Sequence, residues 1–326
     1  MESDPARTPT TETEKMSVKT YILCPGQGAQ QVGMGKDYFD QHDAARQIFE
    51  RATAVLGFDL ASICFGGPEE RLNQTDVSQP AIYVTSVACY HAAVAAGTID
   101  PIAVSAWAGL SLGEYTALHL GGVFSFEDGL KLVAARGKYM QEAAVATPSG
   151  MVALAGADEA KATELCQRAA QGEVLAPANF NAPGQIVVSG AKGACERIVP
   201  LAEAAGLKAI PLKVAGAFHS ALMQPAADRM AAELDKVQFS LPNQPVYANV
   251  TADKHHDAAS IKKLLVEQIV KPVRWEQTMQ KLLAAGEARW VELAPGRVLA
   301  GLLKRINRRL PVESLSTADT LTAAKA

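Results

Sequence analysis

Residues 101–113 read PIAVSAWAGLSLG, an apolar run of strand character that ends in Gly109-Leu110-Ser111-Leu112-Gly113. Residues 114–120 continue with a helical pattern, so the stretch predicts a strand, a sharp turn and a helix in direct succession. That context is what turns G-x-S-x-G into a nucleophile elbow. The bare pattern would arise by chance in about one chain in ten of this length, so the flanking elements carry the reading. Small residues let the turn lift the Ser111 hydroxyl above the sheet and leave the free N–H groups of the helix start facing a developing oxyanion. A Gly-rich strand-to-helix turn with an incidental serine is the alternative.

Upstream, KTYILC at 19–24 is a second short strand, stopped by Pro25-Gly26. Helices are expected at 44–56 and, long and Ala-rich, at 79–96; downstream they follow at 114–120 and 126–144. Strand, turn and helix thus alternate as in a parallel α/β layer. Past residue 147 the rhythm becomes strand (151–155), helix (158–170), two strands around Asn181-Ala182-Pro183-Gly184, helix (193–205) and strand (207–214), which is the β-α-β-β-α-β order of a ferredoxin-like unit. From 220 the α/β rhythm resumes, with a helix to about 236, a strand at 245–250, helices at 260–269 and 275–285, and a strand at 290–293. The expected organisation is a flexible tail at 1–17, a large subdomain at 18–147 and 216–312, a small subdomain inserted at 148–215, and a C-terminal tail at 313–326.

The chain has 326 residues, 48% hydrophobic and 20% charged, which is ordinary globular composition. Lys and Arg total 31 against 34 Asp and Glu, without the basic excess of a phosphate-backbone binder, so no nucleic-acid partner is expected. The longest stretch without Asp, Glu, Lys or Arg, 77–99, is interrupted by Ser78, Gln79, Pro80, Thr85, Ser86 and His91, and reads as a buried helix and not a membrane span. Five cysteines without a C-x-x-C pair suggest neither a zinc cluster nor a full set of disulfides; they read as reduced thiols of a cytoplasmic protein. No metal site is expected.

A serine nucleophile needs a base. Among six histidines, His91 and His119 fall on apolar helices and read as packed; His42, His255 and His256 fall in polar, Asp-flanked segments and read as surface. His219, at a loop end between a strand and a helix, is the best base, with an incidental helix-start histidine as the alternative. Arg136 shares a helical face with Val133 and Met140, so it is either a snorkelling or internally paired guanidinium or a fork for a substrate carboxylate. The Pro25-Gly26-Gln27-Gly28 turn lacks the third glycine of a dinucleotide loop, and Gly35-Lys36-Asp37 fails the P-loop pattern. A backbone N–H near Gln27 is a candidate second oxyanion donor, a bland tight turn the alternative.

Taken together, PGQGAQ (25–30), GLSLGEYTAL (109–118), AARGKYMQ (134–141), GAFHSALM (216–223), PVRW (272–275) and ELAPGRVLAGL (292–302) resemble the malonyl-CoA:acyl carrier protein transacylases and related acyltransferase domains of fatty-acid and polyketide synthases. The six motifs stand in the family's order and span nearly the whole chain. The resemblance implies an α/β-hydrolase-like large subdomain with an inserted ferredoxin-like small one. It implies Ser111 as nucleophile, His219 as its base, Arg136 as binder of the malonyl carboxylate, the N–H groups of Gln27 and Leu112 as oxyanion hole, and the Gln268 carbonyl as the group that orients His219. It further implies malonyl-CoA as substrate with no bound cofactor, and acyl carrier protein as partner, of fatty-acid or alternatively polyketide synthesis. A serine thioesterase or esterase is the more distant alternative. Phe218 before His219 matches the malonyl-selective form, whereas methylmalonyl-selective relatives commonly carry a smaller residue there. Leu110 departs from the family, which often has His before the nucleophile. Lys304, Arg305, Arg308 and Arg309 form a basic cluster that would suit an acidic carrier, or else a solvated helix face.

Overall fold

A computed structural model describes residues 18–323. Its strands, numbered in chain order, are β1 (Thr20–Cys24), β2 (Val104–Gly109), β3 (Ser149–Ala155), β4 (Leu175–Ala182), β5 (Gln185–Ala191), β6 (Lys208–Pro211), β7 (Val246–Ala248), β8 (Asp253–Lys254), β9 (Arg289–Leu293) and β10 (Glu313–Leu315). One sheet has the order β10-β9-β1-β2-β7-β8, and all its pairings are parallel except the edge strand β8. The central strands read as continuous apolar runs because both faces are covered. Ile22 and Cys24 of β1 enter the core formed with helices Asp43–Leu56, Thr75–Ala95 and Phe126–Ala146, while Tyr21 and Leu23 enter the opposite core with helices Trp275–Ala284 and Val298–Ile306. This is the two-residue period of a strand buried between two helical layers.

The second sheet, order β4-β5-β3-β6, is antiparallel throughout. Its strands run 2-3-1-4 in local order, with helices Glu159–Ala170 and Lys192–Ala204 closing a separate apolar core, which is the ferredoxin-like arrangement. The mixed α/β class and the two-part architecture expected from the sequence are therefore present. The small sheet is tied to the large subdomain where Phe180 N–H donates to the Val273 carbonyl at 2.9 Å and Val273 N–H donates to the Ala178 carbonyl at 2.8 Å. The site lies beside this seam.

Some expectations are corrected. The long helix begins at Thr75, ahead of Pro80, since a proline six residues into a helix removes only one backbone bond and Gln141 Oε1 takes up the Thr75 N–H at 3.0 Å. Residues 101–103 form a turn, not the start of β2: Asp100 Oδ1 accepts from Ile102 N–H at 3.0 Å and the Asp100 carbonyl from Ala103 N–H at 3.1 Å. The strand expected over 207–214 ends at Pro211, and 212–215 turn to line the cleft. The expected C-terminal tail is not a tail over its described part: β10 extends the parallel sheet and Leu315 and Leu321 are buried, because the edge of β9 would otherwise stay unpaired. The expected tail at 1–17 lies outside the described residues.

Buried Glu292 of β9 accepts from the N–H groups of Leu299 and Ala300 at 2.7 and 2.9 Å, a carboxylate cap that fixes the helix Val298–Ile306 beside the cleft. Truncation after Pro311 would remove the buried Leu315 and Leu321. At about 2 kcal/mol for each apolar side chain, the expected cost is about 4 kcal/mol, or a midpoint lowered by roughly 10 °C in thermal unfolding followed by circular dichroism. An unchanged midpoint would mean β10 contributes nothing to the sheet.

Candidate active site

β2 runs straight into the elbow. A Cβ on Gly109 would fall on the Gly113 carbonyl, and one on Gly113 on the Cys24 carbonyl, so only glycine lets strand, turn and helix close this tightly. Between them Ser111 takes φ 52°, a left-handed conformation that costs a non-glycine residue about 1 kcal/mol or more. Side chains hold both its peptide groups: Ser111 N–H donates to Asn249 Oδ1 at 2.6 Å, Asn249 Nδ2 donates to the Gly109 carbonyl at 2.7 Å, and Gln268 Nε2 donates to the Ser111 carbonyl at 3.0 Å.

His219, also at positive φ (57°), projects from the loop ahead of a 3-10 turn that Ser220 caps, and its Nε2 lies 2.8 Å from Ser111 Oγ. The other ring nitrogen, Nδ1, is 2.6 Å from the Gln268 carbonyl. A carbonyl only accepts, so Nδ1 carries the proton and Nε2 is left as an acceptor for the serine hydroxyl. Burial first, and then the Arg136 charge, push the His219 pKa down to about 4, which keeps the imidazole neutral near pH 7.

Arg136 enters from the helix Phe126–Ala146. Gly137 lets that helix approach Thr75 closely, since a Cβ there would stand 2.6 Å from the Thr75 carbonyl. The guanidinium is buried and donates to Gln79 Oε1 at 2.8 Å, Gln268 Oε1 at 2.9 Å and Ser111 Oγ at 3.1 Å. All three partners are neutral. Burial draws its pKa below the ordinary arginine value, opposed in part by Tyr115 and Glu114. A cation held among neutral acceptors beside a hydroxyl is prepared for an incoming anion.

The loop after β1 abuts the elbow: a Cβ on Gly26 would fall on the Leu110 carbonyl, and Leu110 N–H donates to the Cys24 carbonyl at 3.1 Å. Gln27 thereby lines the same cavity as Ser111, and neither its N–H nor that of Leu112 is taken up in the backbone bonding of either loop. The cavity, about 600 Å³, has Ser111, His219, Arg136 and Gln27 on one wall and Asn179, Asn181 and Gln185 of the small sheet on the other.

The structure thus brings Ser111, His219, Arg136, Gln27 and Gln268 together. His119, bonded through Nδ1 to the Phe124 carbonyl at 3.0 Å, and half-buried His91 stand apart, as does exposed His256; His42 flanks a helix start. His255 is a correction: it is buried, not on the surface, and its Nε2 is 2.9 Å from Glu114 Oε1. The polar, Asp-flanked composition of its segment hid this, because a buried carboxylate on another element is what draws it in. Gln79 and Asn249 also escaped sequence reasoning; a lone amide in a helix or after a strand has no spacing signature. Among the described residues no group of His, Cys, Asp and Glu could hold a metal, and no helix is long and apolar enough to cross a membrane.

Residues 20–322 match the family described as acyl transferase domain. The malonyl CoA-acyl carrier protein transacylase of Salmonella typhimurium is 42% identical over 304 residues, covering 93% of this chain and 97% of the relative. The enzyme of that name from Bacillus subtilis is 40% identical, covering 94% and 96%. Among solved structures, the malonyl CoA-acyl carrier protein transacylase of Coxiella burnetii superimposes with a TM-score of 0.91 at 38% identity, covering 95% of this chain and 98% of that one. A malonyl-transacylase in complex with a type II PKS acyl-carrier protein superimposes at 0.90 with 39% identity, covering 94% and 98%. Matched over more than nine-tenths of its length by sequence and by fold, the chain belongs to the acyltransferase family of the malonyl CoA-acyl carrier protein transacylases.

Proposed function

We propose that this protein transfers the malonyl group from malonyl-CoA to the phosphopantetheine thiol of an acyl carrier protein, in two half-reactions through a malonyl ester of Ser111. The observation that carries this reading is a serine hydroxyl placed between a neutral imidazole acceptor at 2.8 Å and a buried guanidinium at 3.1 Å. His219 Nε2 takes the hydroxyl proton as Ser111 Oγ attacks the thioester carbonyl, and the oxyanion receives hydrogen bonds from the N–H groups of Gln27 and Leu112. Collapse expels CoA thiolate, which takes the proton back from His219. The carrier thiol then attacks the ester by the same steps in reverse order.

Arg136 holds the malonyl carboxylate in both halves; an acetyl group would leave that buried charge without an anion. His219 handles the proton, Arg136 the carboxylate and backbone N–H groups the oxyanion, so the chemistry needs no bound cofactor. The partner of His219 Nδ1 is a carbonyl, not a carboxylate. An imidazolium there is less stabilised than in a hydrolase triad, which disfavours water as acceptor and supports transfer over hydrolysis. Exposed Lys304 and Arg305 in the last turn of the helix that supplies Val298 and Leu302 to the cleft, with Arg308 and Arg309 just beyond it, offer an acidic carrier a complementary charge. Five free, buried cysteines fit a reducing compartment, and we place the protein in the cytoplasm, serving fatty-acid synthesis. The similarity to a transacylase seen with a type II PKS carrier favours a polyketide carrier as the second reading of the acceptor; parallel transfer assays with the two carriers separate them.

Intact-protein mass after brief exposure to malonyl-CoA is expected to show an adduct mapping to Ser111, absent in Ser111→Ala, whose transfer rate falls by about four orders of magnitude or more. Release of CoA without an adduct would point to a hydrolase. Arg136→Ala is expected to slow malonyl loading about a hundredfold while acetyl loading changes little; equal losses for both would remove the carboxylate role.

The depressed pKa of His219 sets the pH response. A base works only unprotonated, so single-turnover loading is expected to stay level from pH 8 down to about 5 and to fall as the imidazole takes its proton at about 4. Because Arg136 contributes to the depression, Arg136→Ala should move the acid limb upward. A wild-type limb near the ordinary histidine value of about 6.5 would contradict this.

A further inference from the structure

Glu114 and His255 lie beneath the elbow with fully buried side chains, outside the residues that line the cleft. His255 Nε2 donates to Glu114 Oε1 at 2.9 Å. The other carboxylate oxygen, Oε2, accepts from Gln268 Nε2 at 2.6 Å and from Asn249 N–H at 3.0 Å. Three donors thus converge on one carboxylate, and two belong to the residues that hold the Ser111 backbone.

The polarity of this network has only one consistent arrangement. A carboxylate only accepts and a guanidinium only donates. The Gln268 amide lies between them, with Nε2 on Glu114 and Oε1 accepting from Arg136 Nη2 at 2.9 Å. Its two ends are therefore fixed from opposite sides, and the main-chain carbonyl of the same residue receives His219 Nδ1 at 2.6 Å. Gln268 joins the nucleophile, its base and the guanidinium, and Glu114 is the acceptor that gives it direction. Glu114 is also the carboxylate that offsets the Arg136 charge, one amide away.

We propose that Glu114, held in place by His255, is the positioning residue of this site: it sets the direction of the Gln268 amide and thereby aims the Arg136 guanidinium at the substrate carboxylate. The inference rests on the acyl-transfer reading above. Glu114 touches no reacting atom, so its effect falls on the choice between acyl groups more than on ester chemistry as such. Turning the amide would set Nε2 against the guanidinium, donor to donor, and displace the fork that distinguishes malonyl from acetyl.

The test is single-turnover loading of Ser111 by malonyl-CoA and by acetyl-CoA on one preparation, read by intact mass as the ratio of the two rates. The ratio cancels the fraction of folded enzyme, so a merely structural role would leave it unchanged. Glu114→Gln sets an amide against the three donors and is expected to lower the malonyl-to-acetyl ratio about tenfold. His255→Leu, which removes the donor on Oε1, is expected to lower it in the same direction. His255→Gln returns a donor near the same place and should keep the ratio within about threefold of the wild type. Wild-type ratios in both Glu114→Gln and His255→Leu overturn the proposal, as does His255→Gln falling as far as His255→Leu. Where His255→Leu yields no folded protein, the near-isosteric Glu114→Gln decides alone. An unlabelled wild type would instead overturn the acyl-transfer reading, and the positioning role with it.

Discussion

The left-handed turn at Ser111 is the constraint on which the site depends. Glycine on both sides lets β2 reverse into a helix within five residues, and the cost of a non-glycine residue at φ 52° is offset by hydrogen bonds of its own peptide groups, the N–H donating to Asn249 and the carbonyl accepting from Gln268. The same geometry lifts the hydroxyl out of the sheet and leaves the Leu112 N–H unused. Moving Ser111 would also break the anchors of His219 and Arg136, because Gln268 serves all three.

Electrostatics follow from burial. His219 and Arg136 are both buried beside one cleft, where burial first and then the neighbouring cation keep the imidazole neutral. Its Nε2 is therefore an acceptor facing the Ser111 hydroxyl, and the guanidinium faces neutral acceptors that an anion can supplant. The compensating carboxylate, Glu114, lies outside the cleft lining, and the Gln268 amide separates it from Arg136. A carboxylate in direct contact with Arg136 would have neutralised the fork, and one on His219 Nδ1 would have strengthened the base toward water.

The alternation of elements was legible because apolar runs and glycine punctuation are local. The runs at 19–24 and 101–108 announced the central strands, and the inserted β-α-β-β-α-β order stood out against the rhythm on either side. Boundaries shifted where local signals misled: the helix expected over 79–96 begins at Thr75, ahead of Pro80, and 313–326 was expected as a tail although β9 needed a partner on its edge. His255 was misjudged for a related reason. Its neighbours in sequence are solvent-facing, and its carboxylate partner lies 141 residues away.

By itself, the sequence determined the α/β class, the inserted unit, the elbow at Ser111 and, through the resemblance of six ordered motifs, the residues worth watching. These are properties of short segments, carried by backbone preference, side-chain period and residue type. The tertiary structure alone decided which histidine reaches Ser111, what Arg136 pairs with, and how Gln79, Asn249, Glu114 and His255 support them. Hydrogen-bond partners separated by tens to hundreds of residues meet only when the cores close, and the direction of each bond depends on the donors and acceptors that arrive from other elements.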